Sequence, residues 1–531
     1  MAPNQVESSG QEPNWLIRSG ALLITVLLLR AGYAAIVPLE LVPDEAYYWD
    51  WSRQPAWGYF SKPPMVAWLN FLTTSVGGDS VLAIRSAPVI LSTLSLLAVY
   101  LLGARMFGGR VGFVSVVLCA ASPGATAAAL LMTIDAPLIF CWMWAQYFTW
   151  RLVGEERSSP WTVAGCVASI GIGLLSKQTM LAFPPLILLH LCSGNAERRR
   201  QLRRPAIWIS MLVPFLFLIP MILWNVRHNW VTVMHTASHF STEQTDVLRR
   251  IVISLEFLAS QFVLVSPVTF VLAVCAVVTC LRRFHRLPQA ESYLFTLGGL
   301  PLLGTVIISL TQRVQPNWPA VAWPAVIVLA TAMLSRKSAS TVKLDFIKPW
   351  LRRAAICGIG CVVIVYLSPY ALQSTGLAGT KLDFAQRLRG WKTLADSVAE
   401  HVTTDHGEQE PLVICITSRG VVSELAFYLP RQPRVYRWWG GRVECQHGIW
   451  GGPSDCAGRD AILVVESPLT PESLPSSTFL SLEFEETLEI PIGQGQNRQF
   501  EIYRGRGMTD WPTFAEPDHA ASDETSPVAA M

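Results

Sequence analysis

PDEAYYWDWSRQPAWGYFSKPP, residues 43–64, is the stretch that decides how this 531-residue chain is interpreted. It separates two long apolar runs, and it combines an acidic pair, Asp44 and Glu45, with a dense set of Tyr and Trp residues and one lysine, Lys62. Tyr and Trp are enriched where membrane spans meet water. The stretch therefore indicates either an interfacial loop that only anchors the chain at the lipid headgroups or a reaction site built at a membrane surface.

The composition is typical of a polytopic α-helical membrane protein. Hydrophobic residues make up 51% of the chain and charged residues only 15%, whereas soluble proteins average about 25% charged residues. Because about twenty apolar residues cross a bilayer, we predict about eleven spans: 15–38, 81–104, 111–131, 136–153, 161–176, 178–193, 206–224, 255–281, 293–311, 318–334 and 353–370.

The positions of Lys and Arg predict the orientation. The loops rich in these residues, such as 198–204, follow even-numbered spans, and positively charged loops stay in the cytoplasm. We therefore expect a cytoplasmic N-terminus in a bacterial inner (plasma) membrane. The odd-numbered loops, including 39–80 and 225–254, and the region after the last span are expected on the extracytoplasmic side. Orientation explains the basic clusters, so they give no indication of nucleic-acid binding.

Four segments are predicted along the chain. Residues 1–14 are a polar, disordered N-terminus, and 15–370 are the transmembrane domain with its external loop 39–80. Residues 371–507 are a small extracytoplasmic α/β domain, and 508–531 are a disordered tail rich in Pro, Ala and acidic residues.

The α/β prediction rests on a change of pattern after the last span. Helical periodicity covers 389–402, and a short helix is expected over 424–428. Strand character is found at 412–416, 435–439, 461–465 and 500–503. In the same region Cys445 and Cys456 could form a disulfide in an oxidising compartment.

Other predicted external loops carry polar residues that each have a structural alternative. Asp135 begins an apolar run and could cap its helix. Lys177 could extend to the headgroups from a span end, and Arg313 could close a helix. Arg227 and His228 lie in the loop after the seventh span. His235 and His239 have the i, i+4 spacing of a metal pair on a helix, but no third ligand is evident.

Acidic and basic groups on one side of a membrane fit sugar transfer from a lipid phosphate. Cations hold the phosphate and stabilise the negative charge that develops on it as the sugar leaves. A carboxylate accepts the proton of the incoming hydroxyl or amine, and an ordinary aspartate is ionised at neutral pH. Because phosphate leaves without a general acid, one base with inversion at the anomeric carbon is the simplest scheme.

DEAYYWDWSRQPAWGYFSKPPMVAWL, residues 44–69, resembles the first external loop of bacterial glycosyltransferase family 39, which includes the aminoarabinose transferase of lipid A and relatives of protein O-mannosyltransferases. The resemblance implies the GT-C fold, a catalytic first external loop with juxtamembrane helices, and a polyprenyl-phosphate sugar donor. The further motifs follow in order: TIDAPL at 133–138, GLLSKQTM at 173–180, WNVRHNW at 224–230, QPNWPAVAWPA at 315–325, LRGWKTLA at 388–395 and LAFYLPRQPRVY at 425–436.

The resemblance also implies roles for individual residues. Asp44 matches the essential acid of the loop, with Glu45 beside it, and Asp135 matches the second acid of the family. Lys62 falls where aminoarabinose transferases carry a lysine near the lipid phosphate, although many closer relatives have His there. The full predicted substrate-binding set is Lys62, Lys177, Arg313, Tyr59, Tyr48, Arg227 and His228.

The cofactor is left open, since some members of the class use a divalent metal ion but nothing in this sequence requires one. The expected partners are the lipid bilayer, the polyprenyl-phosphate sugar and an extracytoplasmic acceptor, which could be a lipid, a glycan or a protein. Charged residues within spans also suit a transporter or flippase for a lipid-linked sugar. The polar residues cluster on one face together with an external domain, which favours surface chemistry.

Overall fold

The computed structural model describes residues 14–155, 157–238, 247–335, 348–403, 409–438, 443–467, 474–493 and 495–511. These residues form two compact units. The first lies within Met1–Ile36, Arg85–Pro220 and Phe240–Tyr366, and the second within Val37–Ile84, Met221–His239 and Leu367–Met531. The predicted disordered segments fall largely outside the described residues and stay predictions.

The described part of the chain is predominantly helical. In chain order its α-helices are α1 (Trp15–Ile36), α2 (Pro43–Ser52), α3 (Met65–Gly77), α4 (Val81–Phe107), α5 (Gly109–Ala120), α6 (Pro123–Ala128), α7 (Asp135–Gly154), α8 (Pro160–Leu174), α9 (Phe183–Cys192), α10 (Ala196–Arg200), α11 (Pro205–Leu212), α12 (Ile219–Arg227), α13 (Val231–Ser238), α14 (Val247–Val265), α15 (Pro267–Arg282), α16 (Gln289–Leu294), α17 (Leu300–Ser309), α18 (Trp323–Ser335), α19 (Lys348–Ser374), α20 (Trp391–Thr403), α21 (Arg419–Tyr428) and α22 (Gln446–Trp450).

Several of these helices match the dimensions of a bilayer. Among the described residues, five helical segments are long and apolar enough to cross a membrane, or six if one bent pair forms a single span. At 1.5 Å per residue, the 22-residue α1 is about 33 Å long, close to the roughly 30 Å hydrocarbon core. The polytopic helical architecture is therefore confirmed, whereas the count of eleven spans stays a prediction.

The predicted span 255–281 is not one continuous helix, and its crossing of the membrane stays a prediction. α14 and α15 meet at a bend of 113°. The break falls at Ser266, which has a φ of 75° and precedes Pro267. Proline disfavours helical geometry in the residue before it, and it is well accepted as the first residue of a new helix.

The C-terminal region of the second unit contains a five-stranded mixed sheet with strand order β2-β1-β3-β5-β4. β1 is parallel to both β2 and β3, and β5 is antiparallel to β3 and β4. The long β4 is largely exposed and alternates acidic and apolar residues, the period-two pattern typical of a strand, yet no strand was predicted over 479–493. The strand bounds are β1 (Leu412–Ile416), β2 (Val435–Arg437), β3 (Ala461–Glu466), β4 (Phe479–Gly493) and β5 (Gln496–Met508).

Loop 39–80, which the sequence analysis assigned to the transmembrane domain, lies in the same compact unit as this sheet. Its helix α2 packs on α21 so closely that a Cβ added to Gly420 would lie 2.5 Å from the Cβ of Pro43. Trp49 packs edge-on against Phe427, with ring centroids 4.9 Å apart. The acidic pair is therefore held by a helix whose neighbour comes from the far end of the chain.

Candidate active site

The central residue of the candidate active site is Asp44, which lies in the first turn of α2. Its side chain is 46% exposed, and its Oδ1 lies 3.5 Å from Nη2 of Arg419. The guanidinium carbon of Arg419 also lies 4.9 Å from the centre of the Tyr47 ring. Among the described residues, this long ion pair is the one polar side-chain interaction of Asp44, so most of its oxygen lone pairs remain available to a reactant.

Glu45 is arranged differently although it is the next residue. It is fully buried, and its Oε2 accepts a hydrogen bond of 3.1 Å from the backbone N–H of Val42. A glutamate at this position stabilises the start of a helix by pairing with an orphan backbone donor. The structure thus gives Glu45 a role in holding α2, and its predicted catalytic role stays a prediction.

The aromatic residues of loop 39–80 mostly face inward. The rings of Trp51 and Tyr59 stack with centroids 4.4 Å apart, and Tyr48 is 6% exposed. The hydroxyl of Tyr59 accepts from the Ala56 N–H and donates to the Trp51 carbonyl. The anchoring alternative does not fit these rings, because α2 turns them against its neighbours, and substrate binding by Tyr48 and Tyr59 stays a prediction. Trp57 is exposed and retains the anchoring interpretation.

A buried polar cluster joins the end of α2 to the C-terminal region. Nε2 of His447 donates to Oδ2 of Asp50 at 2.9 Å, and Nδ1 lies 3.7 Å from Sγ of Cys445. Nη1 of Arg437 donates to the same sulfur at 3.0 Å. Cys445 and Cys456 are both free thiols. The disulfide considered from the sequence is therefore not present in the structure.

The charges in this cluster shift its protonation equilibria. Burial opposes the charged imidazole, but the hydrogen bonds and charges of Asp50 and Cys445 outweigh it and raise the pKa of His447 to about 9. Burial also opposes a thiolate, but His447 and Arg437 lower the pKa of Cys445 to about 6. The cluster thus favours a charged imidazole next to the Asp50 carboxylate and favours the thiolate form of Cys445.

Backbone hydrogen bonds add to this attachment. The N–H of Gln446 donates to the Tyr47 hydroxyl at 2.7 Å, and the Gln446 side chain accepts from the N–H of Phe60 at 2.7 Å. Glu40 accepts from the N–H groups of Trp391 and Lys392 at the start of α20. Both ends of the stretch 40–60 are therefore fixed by residues more than three hundred positions away in sequence.

The remaining predicted residues of the second unit are Lys62, Arg227 and His228. Lys62 is half-buried in the turn before α3. Arg227 is exposed at the end of α12. The His228 ring stacks on Trp224 at 3.9 Å and is hydrogen-bonded through Nδ1 to the Trp224 carbonyl. These placements are compatible with substrate binding by Lys62 and Arg227, and His228 is already held by Trp224.

The second predicted acid, Asp135, lies in the first unit, and both of its carboxylate oxygens are hydrogen-bonded. Asp135 is 5% exposed at the start of α7. Its Oδ1 accepts from Nζ of Lys177 at 2.8 Å, and its Oδ2 accepts from Nδ2 of Asn317 at 2.6 Å. Lys177 was predicted among the cations on the same side of the membrane as Asp135, whereas Asn317 was not predicted as a site residue. The side chain is thus engaged by distant residues rather than by the backbone of its own helix, contrary to the capping alternative.

Asn317 is a site residue that sequence reasoning missed. It belongs to the motif QPNWPAVAWPA, and that motif was the available signal. Its loop is held because Gln261 donates to the Pro316 carbonyl at 2.9 Å and accepts from Trp323 Nε1 at 2.9 Å. Arg313, in the same loop, is exposed.

In the part of the chain that the structure describes, no group of three or more His, Cys, Asp or Glu side chains is placed to hold a metal ion. His235 packs on Phe60 with ring centroids 5.1 Å apart, and His239 lies outside the described residues. The predicted histidine pair therefore stays untested.

Known proteins resemble this chain in sequence and in fold. Residues 61–224 match the family described as dolichyl-phosphate-mannose-protein mannosyltransferase. Lipid A galacturonosyltransferase RgtD of Rhizobium johnstonii is 27% identical over 335 residues, which are 62% of this chain and 68% of that protein. The undecaprenyl phosphate-α-4-amino-4-deoxy-L-arabinose arabinosyl transferase of Pseudomonas savastanoi pv. phaseolicola is 29% identical over 194 residues, 32% of this chain and 35% of that enzyme.

The fold has a solved counterpart. The crystal structure of ArnT from Cupriavidus metallidurans in the apo state superposes with a TM-score of 0.62 and 16% identity, covering 92% of this chain and 97% of ArnT. Fold and relatives together define a multi-pass membrane glycosyltransferase of the GT-C class. The predicted resemblance to bacterial glycosyltransferase family 39 is confirmed.

Proposed function

We propose that this enzyme transfers a sugar from a polyprenyl-phosphate donor to an extracytoplasmic lipid A or lipopolysaccharide acceptor, with inversion at the anomeric carbon. The names of the relatives support the donor and acceptor classes, since they include an undecaprenyl-phosphate-dependent transferase and a lipid A galacturonosyltransferase. The observation that carries the proposal is Asp44, a half-exposed carboxylate whose one contact among the described side chains is 3.5 Å long.

The proposed step needs one base. Asp44 accepts the proton of the acceptor hydroxyl or amine as that atom attacks the anomeric carbon. The bond from this carbon to the phosphate oxygen breaks with its electron pair, and polyprenyl phosphate leaves as an anion. Attack and departure occur on opposite faces of the carbon, so the configuration inverts. Protons and charge balance without a general acid.

Lys62 is proposed to bind the leaving phosphate. An ammonium group stabilises charge that develops on the phosphate in the transition state, and Lys62 lies half-buried in the loop that carries Asp44. Trp57 and the apolar residues Phe71 and Val76 of α3 are exposed. Exposed aromatic and apolar side chains favour placing this loop at the membrane interface, where a lipid phosphate lies.

The second acid is proposed to position Lys177 rather than to act as a base. Both oxygens of Asp135 already accept hydrogen bonds from Lys177 and Asn317. A carboxylate whose two oxygens are both engaged in this way is poorly placed to accept a further proton. Arg313, exposed nearby in sequence, remains a proposed donor-binding residue.

The finer topology is part of the same proposal. About eleven crossings put the N-terminus in the cytoplasm and the C-terminal region on the extracytoplasmic side of the bacterial inner membrane. Support comes from the Lys- and Arg-rich loops after even-numbered spans. Cysteine accessibility labelling of intact cells, with single reporters in 198–204 and in the C-terminal region, tests it.

The function is tested by mass analysis of envelope lipids from three strains: wild type, a deletion strain and one expressing Asp44→Asn. We expect lipid A or lipopolysaccharide to lose one sugar mass in the deletion and Asp44→Asn strains alike. Unchanged lipids in the deletion strain would overturn the acceptor assignment. Purified protein in vesicles that moves a lipid-linked sugar across the bilayer without transferring it would instead identify a flippase.

A further inference from the structure

We infer that Arg419 binds a carboxylate on the sugar carried by the donor, so that the C-terminal region selects an anionic sugar for the reaction. The inference rests on the proposed function, and it assigns a specificity role to a region that the sequence analysis left without one. Arg419 is the first residue of α21. The chain therefore contributes this cation from a point 375 residues after Asp44.

The guanidinium of Arg419 is fixed but not saturated. It lies over the Tyr47 ring at 4.9 Å from the ring centre, and one nitrogen reaches Asp44 at 3.5 Å, the outer limit of a hydrogen bond. These are its polar and ring contacts with the described residues. Arginine has five N–H donors in a planar fork, and its side chain is 38% exposed. The side chain is thus held over Tyr47 and remains partly open to solvent.

The reaction geometry decides which anion these donors meet. In an inverting displacement the base and the leaving phosphate lie on opposite faces of the anomeric carbon. Because Arg419 contacts the proposed base Asp44, it lies on the face away from the leaving phosphate. Its anionic partner in the donor complex is then a group on the sugar itself. A uronic acid supplies a planar carboxylate, which an arginine fork binds through two parallel hydrogen bonds.

Arg419 would also reduce the repulsion between the sugar carboxylate and the side chain of Asp44. A sugar carboxylate close to ionised Asp44 would be repelled if no cation lay between them. Arg419 sits beside Asp44 and can attract both carboxylates at once. A neutral sugar would gain no charge-assisted hydrogen bonds from these donors, so we expect it to bind less tightly than the acidic sugar. That two similar proteins are galacturonosyltransferases is consistent with such a donor.

Binding of three defined probes tests the inference without an acceptor. The probes are polyprenyl phosphate, polyprenyl-phosphate galacturonate and polyprenyl-phosphate galactose, titrated into purified full-length protein in detergent. We expect the wild type to prefer the galacturonate over the galactose probe by about 10- to 100-fold, the range of a charged hydrogen-bond pair. Arg419→Gln is expected to abolish this preference and leave the affinity for bare polyprenyl phosphate unchanged, while Arg419→Lys retains part of it.

Arg434→Gln is the matched control, since Arg434 also lies over a tyrosine ring, 5.2 Å from the centre of Tyr436. It is expected to bind all three probes as the wild type does. Equal wild-type affinity for both sugars, or equal weakening of all three probes by Arg419→Gln in a protein that still unfolds cooperatively, would overturn the inference, and equal weakening would place Arg419 on the phosphate. A wild type that binds no polyprenyl phosphate would overturn the proposed function itself.

Discussion

Asp44 and Asp135 are both acids at the start of helices, and the resemblance to family 39 marks both, yet the structure surrounds them differently. The Asp44 side chain is 46% exposed, and its Oδ1 lies 3.5 Å from Arg419. The Asp135 side chain is 7% exposed, and its two oxygens accept hydrogen bonds of 2.8 and 2.6 Å. The first carboxylate keeps lone pairs for a substrate proton, whereas the second has its lone pairs filled by the protein.

Because Asp44 and Asp135 differ in exposure and hydrogen bonding, residue type and family position are not enough to assign a general base. A carboxylate that takes a proton needs access and a free acceptor direction. A carboxylate that holds a cation needs burial and short contacts. Asp44 has the first set of properties and Asp135 the second. Four measurements test how these acids and their surroundings contribute to activity and stability.

The largest effect is expected for Asp44→Asn. Removing a general base lowers the transfer rate by roughly 10²- to 10⁴-fold, because the amide cannot accept the acceptor proton. Single-turnover transfer with purified enzyme measures it, with donor binding followed in parallel. The matched control is Asp396→Asn, which removes another exposed acid, one paired with Lys392. Near-normal turnover by Asp44→Asn would remove the contrast between the two acids.

Asp135→Asn is expected to act first on stability. Removing one partner of a buried ion pair lowers the free energy of unfolding by about 3–5 kcal/mol, because the other charge is left uncompensated. Lys177→Met should have a similar effect, and the double variant should be less destabilised than the sum of the two. Thermal or denaturant unfolding in detergent measures this coupling. Additive single effects would show that Asp135 and Lys177 do not stabilise each other. Full stability with lost transfer would show that Asp135 acts in the reaction itself.

The attachment of α2 through Asp50 and His447 is expected to depend on pH. The pKa of His447 is raised to about 9, above its ordinary value of 6.5. The stability that its charged form provides is therefore complete below about 6.5 and lost as the pH rises through about 9.

The matched comparison is Asp50→Asn against the wild type. We expect a loss of about 1–3 kcal/mol at pH 6.5, as for a charged hydrogen bond, and a much smaller loss at pH 10. Cys445 faces the other ring nitrogen in both proteins, so its contribution largely cancels in the difference. A destabilisation that is the same at both pH values would exclude a charged imidazole at this position.

Glu45→Gln is expected to have the smallest effect. Glutamine still accepts the hydrogen bond from the Val42 N–H that Glu45 now accepts, so the start of α2 should lose about 1 kcal/mol or less. Transfer should stay within about tenfold of wild type, since the proton acceptor Asp44 is untouched. A rate loss comparable to that of Asp44→Asn would make Glu45 a second reacting group.

Local chemistry explains why part of this structure was predictable. β1 has the bounds expected from its run of β-branched and apolar residues, and α20 matches the periodicity at 389–402 within two residues. Asp44, Asp135 and Lys177 were identified because charges beside apolar spans are conspicuous. By contrast, Asn317, Arg419 and His447 are ordinary polar residues whose partners lie far away in sequence, so no local pattern marks them.

The amino-acid sequence alone was enough to identify a polytopic membrane protein that resembles family 39. It also identified a loop between two apolar runs that is rich in acidic and aromatic residues. These are consequences of composition and local periodicity, which the neighbouring residues supply. The tertiary structure was needed to show that Asp44 is accessible and that both oxygens of Asp135 are hydrogen-bonded. It was also needed to show that loop 39–80 is fixed by α20, α21 and His447. Such contacts depend on how distant segments pack, and short-range patterns contain no information about that packing.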